Sequence, residues 1–330
     1  EKEERYPLIP QDIRARLEDH QVEGVMFLSR NLKAKRGSLL ADYMGLGKTV
    51  QCLVALSAYL RHEKKGRRHQ KVLLVTPAVV ANNWVKEIEK WLPGRPEMVP
   101  FELTGKGSSH RTRTISKWDD FGGILLTSYE SFRSAIENYK IRHPNDPLSS
   151  PLVDPKVVIL DEGHRIRSMG TQITDALAHI RTPQKIVLTG YPLQTRLIEY
   201  WSLIDFIQPG LLGPLQNFRE LFAIPIAQGQ GKPQNSPESI TANKRIIVLQ
   251  EKVRDIVLRR GPDLLKKYLP PKREFVIWCM PSAAQLRIFN ECIASASEYH
   301  NSESGYLRVY NLERLLFNHP IILYDYMSST

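Results

Sequence analysis

Between Gly37 and Phe206, short apolar runs alternate with segments of helical periodicity, and few folds accommodate that pattern. The runs Ser38–Ala41, Lys71–Thr76, Gly123–Thr127, Val157–Leu160 and Lys185–Thr189 predict strands. A helix is expected over Val50–Leu60, and helical spacing recurs at Val80, Trp84, Ile88 and Trp91, at Ile173, Leu177 and Ile180, and at Leu197, Trp201 and Ile204. Such alternation predicts an α/β fold, a parallel sheet with helices on both faces whose ligand cleft lies beyond the carboxyl ends of the strands.

Two of these runs turn abruptly polar where that cleft is expected. Ala41-Asp42-Tyr43-Met44-Gly45-Leu46-Gly47-Lys48-Thr49 places glycines, a lysine and a hydroxyl between a strand and a helix. That is the layout of a phosphate cradle. Gly45, Leu46 and Gly47 supply inward-facing N–H groups at a helix N-terminus, Lys48 neutralises β and γ oxygens, and Thr49 holds Mg²⁺. The strict motif wants glycine where Asp42 stands. The second run, Val157 to Leu160, ends in Asp161-Glu162-Gly163-His164. Asp161 suits the shell of a hard cation. Glu162 suits the base that orients and deprotonates a water, and His164 is placed to sense that chemistry. Either motif alone is weak; their joint occurrence after two strands points to a nucleoside-triphosphate motor site.

After Pro209 the character changes. Leu215, Phe218, Leu221 and Phe222 predict a short helix, and Ile246, Leu249, Val253 and Ile256 a longer one. Between them Ala227–Ser239, rich in Gln, Gly, Pro and Ser, predicts loop or disorder. A further strand is expected over Glu274–Met280, then a helix from Ser282 carrying Leu286, Phe289 and Ile293. There is no internal repeat, and the final residues from Asn318 give no sign of completing another α/β domain.

A hydrophobic share of 42% supports a sizeable core, in one large or two modest domains. No apolar run approaches the roughly 18 residues of a bilayer span, and the charged opening Glu1-Lys2-Glu3-Glu4-Arg5 is unlike a secretory leader. Cys52, Cys279 and Cys292 form no Cys-x-x-Cys pair and fit packed thiols in a reducing compartment, so neither a membrane nor a disulfide-linked partner is expected. The formal charge of +11 suits a polyanionic partner, nucleic acid being the commonest, or else an indifferent cationic surface. The densest basic run, Arg61 to Lys71, reads as a solvated loop or a phosphate-contacting one.

With these residues assembled, the chain resembles the helicase-like ATPases of superfamily two, specifically the Swi/Snf-type group and its ATRX-like branch. Leu17 to Val25 resembles the family's adenine-reading motif, in which Gln21 bonds the base edge. Asp42 to Thr49 is similar to its phosphate loop, which carries an acid at that position. Thr76, Asn83 and Trp84, and then Thr127, Ser128 and Tyr129, resemble segments that grip the nucleic-acid backbone. Gly163 gives the acidic box the form common to recombination-type and ATRX-like members. Thr189, Gly190 and Gln194 resemble the motif that, with His164, couples hydrolysis to movement, although Tyr191 and Thr195 depart from it.

The resemblance implies a RecA-like ATP-binding lobe over 1–210, a helical protrusion and linker over 211–270, and the start of a truncated second RecA-like lobe from 271. That second lobe would bring arginine fingers, so this chain alone is expected to bind nucleotide weakly and turn it over poorly. ATP and Mg²⁺ are the implied cofactors, double-stranded DNA and chromatin proteins such as nucleosomes the implied partners, and the nucleus the implied compartment. The expected function is an ATP-dependent DNA translocase that remodels chromatin. A degenerate, nucleotide-sensing scaffold is the alternative that Tyr191 and Thr195 motivate, and an RNA-unwinding enzyme ranks below both. A GTPase is disfavoured because Asn243-Lys244 is followed by Arg245 and Ile246 in place of the base-reading pattern.

Overall fold

A computed structural model describes residues 9–62, 70–103, 107–146, 149–166, 172–190, 197–267, 269–270, 273–296 and 303–329. The centre of the basic run (63–69), residues 191–196 with Tyr191, Gln194 and Thr195, and residues 271–272 lie outside the described residues. The chain forms two compact units, Glu1–Leu269 and Pro270–Thr330.

The first unit is built on a parallel sheet. Its strands are β1 (Ser38–Leu40), β2 (Lys71–Thr76), β3 (Pro100–Glu102), β4 (Gly123–Ser128), β5 (Val157–Leu160), β6 (Lys185–Leu188) and β7 (Val257–Leu258), in the order β3-β4-β2-β5-β6-β1-β7. Every pairing is parallel. Helices α1 (Gln11–Arg14) and α2 (Asp19–Lys33) precede β1. The crossovers carry α3 (Lys48–His62), α4 (Ala81–Trp91), α5 (Ser108–Phe121), α6 (Tyr129–Arg142) and α7 (Gln172–Ala178).

Alternation along each strand divides the core in two. Leu73, Val75, Val158, Leu160 and Val187 face one cluster, whereas Val72, Leu74, Val157, Ile159 and Ile186 face the other. Because successive strand side chains point to opposite faces, wholly apolar strands require helices on both sides of the sheet. Helix α3 is apolar nearly all round, and Val50 through Leu60 are all buried. Helix α4 has the narrower stripe of a surface helix, burying Ala81, Trp84 and Ile88. A capping box between Glu18 and Gln21 starts α2, and the Ser128 hydroxyl caps α6 by accepting from Ser131 N at 3.0 Å.

Beyond β6 the chain leaves the sheet as α8 (Leu197–Ile207), α9 (Leu215–Phe218), a π-helical turn (Arg219–Ala223), α10 (Ile224–Gly229) and α11 (Pro237–Val253). It then returns to add β7 beside β1. The loop expected over Ala227–Ser239 is therefore shorter at both ends. Ala227–Gly229 closes α10, and Pro237 opens α11 with the Ser236 hydroxyl accepting from Ser239 N. Residues 211–269 are not a separate body, since β7 completes an edge of the first sheet.

The second unit contains α12 (Ala283–Ala296), α13 (Glu303–Asn318) and α14 (Pro320–Ser329). Gln285 Nε2 donates to the carbonyls of Leu316 and Phe317, and the Phe289 and Phe317 rings stand 5.2 Å apart. The strand expected over Glu274–Met280 is not formed. Its side chains are exposed, Trp278 by 91%. A strand needs a neighbour for its N–H and C=O groups, and the described residues of this unit offer only helices. Among the described residues no helix is long and apolar enough to cross a membrane.

Candidate functional site

Strand order brings the two motifs together. Strands β5, β6 and β1 are neighbours, so Asp161 and Glu162, Thr189 and Gly190, and the glycine loop 41–47 leave the sheet side by side at its carboxyl edge. A cavity of about 670 Å³ lies instead at the strands' amino-terminal ends, lined by residues such as Lys71, Asp119 and Arg181, and shares no residue with this site.

The loop turns through Gly45 (φ +88°) and Gly47 (φ +78°), conformations that side chains resist. A Cβ at Gly47 would also overlap Gln21 Nε2, which puts the expected adenine reader directly on the loop. Gln21 Oε1 meanwhile accepts from Glu18 N at 3.1 Å and so helps start α2. Lys48, the first residue of α3, folds back so that Nζ donates to the carbonyls of Asp42 (2.9 Å) and Tyr43 (3.4 Å). Burial lowers its pKa below the usual lysine value, against the opposing attraction of Glu162, then Asp42 and Asp161. A Cβ at Gly190 would stand 3.8 Å from Lys48 Nζ, so the chain leaving β6 passes beside the same ammonium. Thr49 is half-buried one residue further along α3.

Asp161 is held on three sides. Its Oδ2 accepts from Trp84 Nε1 (2.8 Å) and Thr76 Oγ1 (3.0 Å), Oδ1 accepts from Glu162 N (3.0 Å), and its carbonyl accepts from Tyr129 Oη (2.7 Å). Burial, and next the Asp161 charge, push the Tyr129 phenol well above its ordinary value, so it stays a donor. Glu162 sits in the left-handed region at φ +49°, an uncommon place for a residue with a long side chain. Its Oε2 approaches His164 Nδ1 at 3.0 Å but, buried, accepts no hydrogen bond among the described residues. His164 Nδ1 also lies 3.5 Å from Thr189 Oγ1. Close packing demands Gly163, since a Cβ there would overlap Val187 Cγ1 of β6.

The six residues expected to grip a nucleic-acid backbone divide. Thr76, Trp84, Thr127 and Tyr129 are at most 1% exposed. Three of those four turn inward to Asp161, and the Thr127 hydroxyl donates to the Ser128 carbonyl. In this structure they cannot meet a strand from solvent. Asn83 is exposed and Ser128 half-buried.

Residues 20–321 match the SNF2-related domain family. This chain belongs to that family. It is 32% identical over 325 residues to the DNA repair and recombination protein RAD54-like of Gallus gallus, covering 94% of this chain and 43% of that protein. With the transcriptional regulator ATRX of Mus musculus the identity is 33% over 307 residues, covering 88% and 12% respectively. This SNF2-related chain thus spans less than half the length of either relative. The SWI2/SNF2 ATPase core of Sulfolobus solfataricus, solved in complex with dsDNA, superposes with a TM-score of 0.59 at 23% identity, covering 93% of this chain and 59% of that one. The fold is therefore the α/β fold of those cores: the parallel sheet with helices on both faces that the sequence pattern predicted, in the RecA-like form that the resemblance implied.

Sequence reasoning passed over one feature of the site. Asp42, fully buried, is gripped by Arg260: the Arg260 N and Nε reach Oδ1 at 3.1 and 3.0 Å, and Nη2 reaches Oδ2 at 2.5 Å. The available signal was an acid in place of the motif's glycine, since a carboxylate beside a buried strand end needs a cation.

Proposed function

We propose that the chain supplies the nucleotide-binding lobe of an ATP-dependent double-stranded DNA translocase. The observation carrying this reading is the convergence of Lys48, Gly190, Asp161 and Glu162 on one cleft at adjacent strand ends. Lys48 and the loop amides bind the triphosphate, Gln21 faces the base, and Glu162 takes the proton of the attacking water. Glu162 suits that task because its side chain stays one-third exposed at the cleft while Oε2 is held 3.0 Å from His164 Nδ1. His164 relays the state of Glu162 to Thr189, just beyond β6.

The oxygen donors Thr49 and Asp161 fit a hard cation, and the Trp84 and Thr76 donors keep the Asp161 carboxylate fixed and acceptor-only. Mg²⁺ held there would neutralise charge on the triphosphate. Duplex DNA as the track is supported by the relatives named for DNA repair and for transcriptional regulation, by the dsDNA-bound neighbour and by the charge of +11. A nuclear site of action on chromatin is part of the same reading, in keeping with relatives named for DNA repair and transcriptional regulation.

The test is ATP hydrolysis by the whole protein with and without duplex DNA, single-stranded DNA and RNA. Strong stimulation by duplex DNA, weakening steeply with salt, is expected. Nucleotide binding with no DNA response would instead favour the scaffold.

Lys48 adds a pH signature. A bound triphosphate favours the charged ammonium, whereas the empty site lowers its pKa below 10.5. Affinity should therefore be full below the lysine's lowered pKa and fall as pH rises through it, by up to about tenfold per pH unit. Titration with a fluorescent ATP analogue from neutral to alkaline pH measures this. Lys48→Arg, whose guanidinium stays charged, should flatten the profile. An unchanged alkaline slope in that variant would assign the effect elsewhere.

A further inference from the structure

Arg260 touches three separate parts of the nucleotide cleft. Besides Asp42, its Nη2 donates to Gln51 Oε1 on α3 at 2.9 Å. Its Nη1 donates to the His20 carbonyl and approaches Glu23 Oε2 at 3.4 Å, both on α2 beside Gln21. Gly24 makes room for this convergence, since a Cβ there would overlap Gln51 Oε1 and stand 3.0 Å from Arg260 Nη2. The backbone joins in, because Tyr43 N donates to the Arg260 carbonyl at 3.0 Å and so extends the β1–β7 ladder into the loop. Just downstream, Leu265 Cδ1 lies 3.5 Å from where a Gly45 Cβ would stand.

Asp42 is thus clamped at both ends, its carboxylate by Arg260 and its carbonyl by Lys48. We propose that Arg260 is a positioning residue for nucleotide binding, holding the loop through Asp42 in register with the helix that carries Gln21. The proposal rests on the reading of this cleft as a nucleotide site. It makes the last strand of the first unit, which leads directly into the segment toward residue 270, part of the nucleotide-binding machinery. A guanidinium is required because separate nitrogens of its planar fork meet both Asp42 oxygens, Gln51 and the His20 carbonyl together; the three donors of an ammonium sit on one nitrogen and cannot span them.

The experiment titrates the full chain, with Mg²⁺, against a fluorescent ATP analogue. Arg260→Lys, Asp42→Asn, their double variant and Lys48→Ala are compared, with Leu249→Ala in the helical insertion as a control that lowers the melting temperature away from the loop. Arg260→Lys and Asp42→Asn should each weaken binding by roughly 5- to 100-fold, and the double variant no further than the weaker-binding single. Leu249→Ala should bind as the parent does. Wild-type affinity in Arg260→Lys, additive losses in the double variant, or an equal loss in Leu249→Ala would each overturn the proposal. Undiminished binding by Lys48→Ala is a different failure, that of the nucleotide-site reading itself.

Discussion

Glu162→Gln should lower DNA-stimulated turnover by about 10²–10⁴-fold, the range a positioned general base contributes, while nucleotide still binds. The variant keeps the size of the side chain and removes only its capacity to take a proton. It leaves the backbone at φ +49° and keeps a polar group 3.0 Å from His164 Nδ1, so the geometry of the turn is preserved. A long side chain held in the left-handed region at a strand end beside the cleft points to a residue kept for chemistry. Removing its charge withdraws the largest of the attractions acting on the Lys48 ammonium, but it equally withdraws repulsion of the triphosphate. Affinity for Mg-ATP should therefore hold within a few-fold and the melting temperature should not fall. Steady-state hydrolysis, nucleotide titration and a thermal melt check the three parts. A variant that turns over normally would remove Glu162 from the reaction, and one that melts early would make it structural.

Strand legibility tracked burial. Strands β2, β4, β5 and β6 could be read from the sequence because each carries an unbroken run of three or four buried apolar residues, which two covered faces require. Strand β3 begins with a proline and β7 is two residues long, so their neighbours, rather than their composition, make them strands. The run Glu274–Met280 shows the converse. Its composition is that of a strand, but without a pairing edge it forms none. At the site, motifs contiguous in sequence gave Lys48, Asp161 and Glu162. Spacing did not reveal which way Trp84 and Tyr129 face, and both point to Asp161. Arg260 was hidden for a simpler reason, lying 218 positions from the acid it holds.

That separation makes the pair a sharp test of what an ion pair does for this fold. Arg260→Met should destabilise the chain by about 3–5 kcal/mol, because the wholly buried Asp42 carboxylate is left without its guanidinium. For a unit of this size that corresponds to a fall of roughly 6–20 °C in melting temperature. Gln51 cannot substitute. Its Nε2 already donates both to Oδ2 (3.3 Å) and to the Leu46 carbonyl (3.0 Å), and a neutral amide supplies no countercharge. Exchanging both partners, Asp42→Leu with Arg260→Met, removes the stranded charge along with the guanidinium and should recover most of the loss. Nucleotide affinity should not recover with it, since a loop packed by leucine and methionine loses its hydrogen-bonded register with α2. Thermal melts and nucleotide titrations on the two single variants and the double would then separate stability from binding. Joint recovery of both would reduce Arg260 to a packing element, whereas stability regained without affinity would show that the pair is kept to hold the loop.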